Sequence, residues 1–147
     1  MADNITLLRD LYEAWNERDF DRQAEAMAPD GSIVVVGTGD VFEGPDGART
    51  YNGSWATGFP DGRITIDKMV ADGDTVVVEF TGRGTHTGTL ETSMGAIPPT
   101  GRSVTLKLCD VVELSDGKVT MQRTYFDTGS MMAQLGLAPD VAATTQQ

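Results

Sequence analysis

The sequence has very few residues of the kinds that bind metals or form disulfides. Among 147 residues there is one cysteine, Cys109, and one histidine, His86. One histidine cannot make a histidine-based zinc site and no other metal-ligand spacing appears, so we predict no metal. Cys109 has no second cysteine or histidine near it in sequence, and we expect it to pack as a small hydrophobic residue rather than to act as a nucleophile.

Basic residues are also scarce. Eleven Lys and Arg residues against 22 Asp and Glu residues give a net charge of −11. Such a chain repels nucleic acid and anionic membrane surfaces, so we expect neither as a partner. No apolar run approaches the length that spans a bilayer, and no basic and apolar leader follows Met1. Together with the single cysteine, these absences predict a cytoplasmic protein.

The order of the periodic segments predicts an α+β domain. Helical spacing of apolar residues predicts helices over 4–18 and 21–28 and a third after Pro45. Strands are predicted at 32–36, 41–42, 63–71 and 75–87, and the irregular stretch 88–101 is expected to cover an opening. This order favours a strongly curved antiparallel or mixed sheet wrapped around the N-terminal helices, a cone-shaped barrel with an internal pocket. We assign a single domain to 1–138 and a flexible tail to 139–147.

Two further strands over 103–127 are joined by Asp116-Gly117. Asp-Gly between alternating apolar runs is typical of a two-residue type I′ hairpin turn. In the register that this turn fixes, Asp110 faces Arg123 across the two strands. The next pair of residues on the same side of the sheet contains Tyr125, and this side is otherwise apolar. A short helix over 129–135 is predicted to follow.

Charged residues on this apolar face are candidate catalytic groups, because burial perturbs the pKa of a carboxylate. Asp110 and Asp127 are the candidate acid or base residues. The simpler alternatives are that Asp110 and Arg123 form a structural ion pair and that Asp127 caps the helix that follows it. His86 lies on the apolar face of its strand, where it is either a donor to the site or a core or rim residue.

A cavity between the sheet and the helices is expected to have an apolar and aromatic wall, as small-molecule sites do. The predicted wall consists of Tyr12, Trp15, Tyr51, Trp55, Phe59, Phe80, Met94, Tyr125 and Met131. The alternative is that most of these side chains fill the core.

Several short motifs, in their order and spacing, resemble those of the SnoaL-like polyketide cyclases, within the nuclear transport factor-like cone fold. They are Phe59-Pro60-Asp61, Gly84-Thr85-His86-Thr87-Gly88, Ile97-Pro98-Pro99-Thr100-Gly101-Arg102, Asp116-Gly117-Lys118-Val119 and Gln134-Leu135-Gly136. The resemblance covers roughly 5–137. It implies a homo-oligomer, dimer or tetramer, formed through the outer face of the sheet. It also implies a pocket for a fused-ring or other apolar, polyketide-like ligand, and no cofactor.

The resemblance further implies an intramolecular aldol ring closure, in which a carboxylate removes an acidic proton and a His or water network supports the enolate. Carried over to this chain, it gives Asp127 or Asp110 as acid or base, with His86 and Arg123 as polarising donors. Where the cyclases have an Asp this chain has Thr124, and where they have a His it has Asp110. Two alternatives remain. One is an epoxide hydrolase of the limonene-epoxide type that uses Asp110, Arg123 and Asp127, and the other is a non-catalytic binding or accessory protein.

Overall fold

The helices and strands of the chain largely follow the predicted order. A computed structural model describes residues 3–93 and 95–137; Met94 and the predicted tail 139–147 lie outside the described residues. The elements are α1 (Asn4–Asn16), α2 (Phe20–Glu25), β1 (Met27–Val35), β2 (Asp40–Glu43), α3 (Gly44–Gly58), β3 (Arg63–Asp72), β4 (Thr75–Thr85), β5 (Leu90–Thr92), β6 (Gly95–Ile97), β7 (Ser103–Ser115), β8 (Lys118–Phe126) and α4 (Thr128–Gln134). No helix in these two ranges is long and apolar enough to cross a membrane.

Six strands form one mixed sheet in the order β2-β1-β8-β7-β4-β3. Strand β1 runs parallel to β8, and the other neighbours are antiparallel. The core lies between this sheet and the first three helices, and its buried residues include Leu8, Leu11, Tyr51, Ile33, Val76, Val78 and Val112. The predicted fold class is therefore confirmed, although β2 and β3 are the two edges of the sheet and the barrel is not closed.

The N-terminal helices begin at aspartate caps. Asp3 accepts a hydrogen bond from the Thr6 backbone N–H at 2.7 Å and starts α1. Asp19 does the same for the Arg22 N–H at 3.1 Å, so α2 starts earlier than the predicted Asp21. The second helix also ends earlier than predicted, because β1 begins at Met27.

The stretch 88–101 is more regular than predicted, because it contains the antiparallel pair β5–β6. Gly95, at the start of β6, has φ +117°, a conformation that a residue with a side chain rarely adopts. Leu90 of β5 is buried and packs with Phe59, Val104 and Leu135. The pair therefore lies on a second small core beside the end of α3.

The β7–β8 hairpin turns where the sequence predicts, since Asp116 and Gly117 have φ of 51° and 74°. Beyond the first two pairs, however, β8 contains a β-bulge. Thr120 is the extra residue, so that Glu113 pairs with Met121 and every later pair is shifted by one position.

Because of this bulge the predicted register is wrong around the candidate site. Asp110 pairs with Thr124 and not with Arg123. A shift of one residue moves side chains to the opposite face, so Arg123 and Tyr125 lie on the outer face of the sheet. There Arg123 donates a hydrogen bond to the Glu113 carboxylate at 2.7 Å, and Tyr125 is 41% exposed.

The outer face of the sheet also carries exposed apolar side chains on other strands. Val41 and Val70 are about half exposed, and Tyr125 lies on the same face. Because β2 and β3 are opposite edges of the sheet, Val41 and Val70 are single scattered side chains, which are ordinary on a protein surface. The homo-oligomer formed through this face stays a prediction.

Candidate active site

A cavity of about 130 Å³ lies between the helices and the inner face of the sheet. Its wall contains six of the predicted side chains, Tyr12, Trp15, Tyr51, Trp55, Phe59 and Phe80. An apolar protein cavity of about 150 Å³ holds benzene, so one ring fits in the space as it stands. The wall also includes the exposed residues Arg63 and Arg83, which mark the end where the cavity approaches solvent. A longer ligand would extend towards that end.

Asp110 supplies the only buried carboxylate among the described residues, and it lies in the cavity wall with 3% exposure. Its Oδ2 accepts a hydrogen bond from the Tyr12 hydroxyl and a longer one, 3.4 Å, from the Gln122 amide. Its Oδ1 has no hydrogen-bond partner in the described structure. Burial raises the pKa of Asp110 to about 6, and the nearby hydroxyl groups of Tyr12 and Thr124 act in the opposite direction.

Two tyrosines and two further polar side chains surround this carboxylate. The Gln122 amide donates to the Thr124 hydroxyl at 3.1 Å, and Thr124 is fully buried. Burial raises the pKa of Tyr12 well above its ordinary value, and the charge of Asp110 raises it further. Burial raises the pKa of Tyr51 as well. Both phenols therefore stay protonated and are hydrogen-bond donors, whereas Asp110 changes charge near neutral pH.

A carboxylate that titrates near pH 6 in an apolar cavity, beside protonated phenols, is suited to proton transfer at carbon. The family comparison agrees with this geometry. The model of the SnoaL-like polyketide cyclase family matches residues 5–135. The chain belongs to the SnoaL-like polyketide cyclase family.

Solved structures of similar proteins support the fold of this family member. A protein from Jannaschia sp. CCS1 that is assigned as a SnoaL-like polyketide cyclase superposes with a TM-score of 0.80. The two sequences are 23% identical, and the match covers 92% of this chain and 93% of that one. IdmH from Streptomyces antibioticus, assigned as a polyketide cyclase, has a TM-score of 0.73 and 29% sequence identity, and the match covers 92% of this chain and 99% of IdmH. TsrD from Streptomyces laurentii has a TM-score of 0.75 and 26% sequence identity, and the match covers 93% of this chain and 99% of TsrD. None of the curated protein sequences compared with the chain matches it.

The register explains how this cyclase-family chain differs from the expected pattern. The resemblance places a carboxylate where this chain has Thr124 and a His where it has Asp110. These two residues are directly paired on the inner face of β7 and β8. Asp110 lies in the cavity wall, and Thr124 is buried directly across the strand pair from it.

His86 does not reach this wall, which corrects its predicted role as a donor to the site. Strand β4 ends at Thr85, and beyond it the His86 backbone is held by hydrogen bonds to Gly101 and Arg102, each 2.8 Å. The buried ring packs on Phe59, with centroids 5.4 Å apart, and its Nδ1 accepts a hydrogen bond from the Thr100 N–H at 3.2 Å. Burial lowers the pKa of His86. It is a core histidine of the second small core.

Asp127 and Met131 also lie away from the cavity wall. The Asp127 carboxylate is exposed and accepts a hydrogen bond from the Ser130 N–H at 3.0 Å, so it is the N-cap of α4. Met131, inside that helix, is buried in the second core with Leu135. Arg123 and Asp127 are therefore not beside Asp110, and the carboxylate–Arg–carboxylate set of the epoxide hydrolase alternative is not assembled.

Sequence reasoning missed one residue of the site, Gln122, and one contact, the hydrogen bond between Tyr12 and Asp110. Gln122 reaches the cavity only because of the bulge, and Thr120 gives no signal for one, since β-branched residues also suit a regular strand. The hydrogen bond from Tyr12 could have been predicted, because Tyr12 is the one buried side chain of α1 with a hydroxyl, and a buried hydroxyl needs a hydrogen-bond partner. Within 3–93 and 95–137, no three His, Cys, Asp or Glu side chains are arranged to hold a metal ion.

The corrected position of Arg123 gives a testable expectation. Replacing Arg123 by Gln removes a charge that faces solvent and Glu113, and not the cavity. We expect ligand affinity to change less than about twofold, and stability to change by about 0–1 kcal/mol, as for exposed ion pairs. Calorimetric titration of an aryl ketone and urea unfolding measure these two quantities. A loss of affinity of tenfold or more would show that the guanidinium contacts the ligand and that the register is wrong.

Proposed function

We propose that this chain is a cyclase that closes a ring in an apolar polycarbonyl compound by an intramolecular aldol reaction. The observation that carries the proposal is the buried Asp110 carboxylate, hydrogen-bonded to Tyr12 in an aromatic cavity. A general base works best when its pKa lies near the working pH, and burial brings the pKa of Asp110 to about 6. Family membership supports the reaction class, and the cavity supports an apolar substrate.

In the first step the Asp110 carboxylate removes a proton from a carbon next to a carbonyl group. The C–H bond breaks, an O–H bond forms on Asp110, and the electron pair moves to the carbonyl oxygen to give an enolate. As Asp110 becomes neutral it is a weaker acceptor for the Tyr12 hydroxyl. That hydroxyl then donates to the enolate oxygen, in the manner of an oxyanion hole.

In the second step the enolate carbon attacks another carbonyl of the same molecule. A C–C bond forms, and the new alkoxide takes the proton back from Asp110, so that the base is regenerated. No cofactor enters either step. The aromatic wall keeps water away from the enolate and holds the chain of the substrate folded.

The first step is tested without knowledge of the natural substrate. Ethyl benzoylacetate has one ring and an acidic methylene, and the exchange of its methylene protons in deuterium oxide is followed by NMR. Because the base acts as the carboxylate, we expect the enzymatic rate to fall as pH falls through about 6 and to be level above pH ~7. The exchange without protein at each pH is subtracted.

Two results would count against the proposal. One is an exchange rate that equals the rate without protein while calorimetry shows that the ketoester binds, which is the result expected of a binding or accessory protein. The other is catalysis whose pH dependence follows an ordinary exposed carboxylate, with its half-point near pH ~4.

A further inference from the structure

Gly82 occupies a position in the cavity wall where the fold does not require a glycine. It lies in the middle of β4, on the inner face, two residues after Phe80. Its φ is outside the left-handed region. A Cβ built on it meets only the Leu108 Cδ1 at 3.6 Å and the Ile64 Cγ2 at 3.8 Å, which are ordinary van der Waals distances. Glycine inside a strand also destabilises it relative to alanine.

Gly84, two residues further along the same face, is different. A Cβ there would lie 3.1 Å from the Phe59 Cβ and 3.2 Å from the Gly62 Cα. Both distances are tighter than ordinary contacts, and one partner is backbone, which does not move easily. Packing therefore explains why position 84 is a glycine. At Gly82 the missing side chain leaves open space in the cavity.

The position of Gly82 along the sheet indicates what this space serves. Gly82 pairs with Leu106, and Asp110 lies four residues further along β7. At about 3.4 Å per residue along the strand and about 4.8 Å between neighbouring strands, Asp110 and Gly82 are roughly 14 Å apart. Gly82 lies next to the exposed Arg83, towards the end where the cavity approaches solvent. A ligand that places an acidic C–H at Asp110 and extends towards solvent must therefore pass over Gly82.

We infer that Gly82 determines substrate length: its missing side chain admits apolar carbonyl compounds longer than one ring, and a side chain there restricts the cavity to single-ring compounds. The inference rests on the proposed function for the orientation of the ligand towards Asp110.

The test uses Gly82→Ala and Gly82→Val with a series of aryl ketones, acetophenone, acetonaphthone and acetylanthracene, titrated by calorimetry. We expect Gly82→Val to weaken the binding of the two longer ketones by about 10- to 200-fold and that of acetophenone by less than about threefold. Gly82→Ala is expected to give intermediate losses. Its Tm is expected to rise by roughly 2–4 °C, because the strand gains a Cβ without a clash.

Two control variants accompany the series. Gly84→Ala is expected to lower Tm, because its Cβ meets Phe59 and Gly62. Gly53→Ala, in α3, adds a methyl with no atom within 4 Å and is expected to leave all three affinities unchanged. An equal loss of affinity for short and long ketones in Gly82→Val, relative to the native protein, or a fall in Tm for Gly82→Ala, would overturn the inference. Since the readouts are affinity and Tm, the inference can hold even if no proton exchange is found.

Discussion

Asp110→Asn is expected to slow the enzymatic exchange of ethyl benzoylacetate protons by about 10²- to 10⁴-fold, the range for removal of a general base. The amide cannot take a proton from carbon at any pH between 5 and 9. Its oxygen still accepts the hydrogen bond that the Tyr12 hydroxyl gives to Oδ2 in the native protein. The geometry of the cavity is therefore retained, and we expect the affinity for the ketoester to stay within about threefold of the native value.

The matched control is Asp72→Asn, which makes the same chemical change at an exposed carboxylate at the end of β3. It alters the net charge equally and leaves the cavity untouched, so we expect exchange at the native rate. If Asp110→Asn exchanges protons as fast as the native protein, Asp110 is not the base. If both variants and the native protein bind the ketoester without exchange, the chain is a binding protein.

The sequence predicted the fold well because the fold depends on local signals. The helical spacing of apolar residues in α1 and the Asp116-Gly117 turn each act within a few residues, and both elements were found close to their predicted places. Six of the predicted side chains lie in the cavity wall, because an aromatic side chain on the inner face of a helix or strand packs either in the core or against the cavity.

The candidate site was predicted less well because its geometry depends on one non-local feature. A single extra residue, Thr120, turns Arg123 and Tyr125 to the outer face of the sheet and brings Gln122 into the cavity wall, with Thr124 buried on the inner face. No propensity marks that residue, since the bulge is set by how β8 pairs with β7 and β1 together. The bulge also changes the chemistry, because it replaces an Asp110–Arg123 ion pair, which would hold the pKa of Asp110 low, by neutral partners that leave it raised.

The same raised pKa has a consequence for stability. Burial moves the pKa of Asp110 from 3.8 to about 6, so the folded state binds this proton more tightly than the unfolded state does. The protonated carboxyl therefore contributes its full stability below pH ~4. That contribution is lost as pH rises through about 6, and the change in pKa corresponds to about 3 kcal/mol of unfolding free energy.

Asp110→Asn removes this titration, because the amide has no charge to bury. We expect the variant to gain up to about 3 kcal/mol over the native protein between pH 4 and pH 8, so that it is the more stable of the two at pH 8. Urea unfolding at pH 4, 5, 6, 7 and 8 measures the difference at each pH. The informative quantity is the change in that difference with pH, because replacing the protonated carboxyl by an amide adds an offset that is the same at every pH.

Asp72→Asn serves as the control here too, because its carboxylate is exposed in the folded chain. Its stability difference from the native protein is expected to stay nearly constant over the same pH range. A constant difference for Asp110→Asn would mean that the carboxylate is solvated in the folded state and does not have the raised pKa that the mechanism needs. Greater stability at pH 8 together with lost exchange would instead show that the folded chain keeps a destabilising buried charge because that charge performs the reaction.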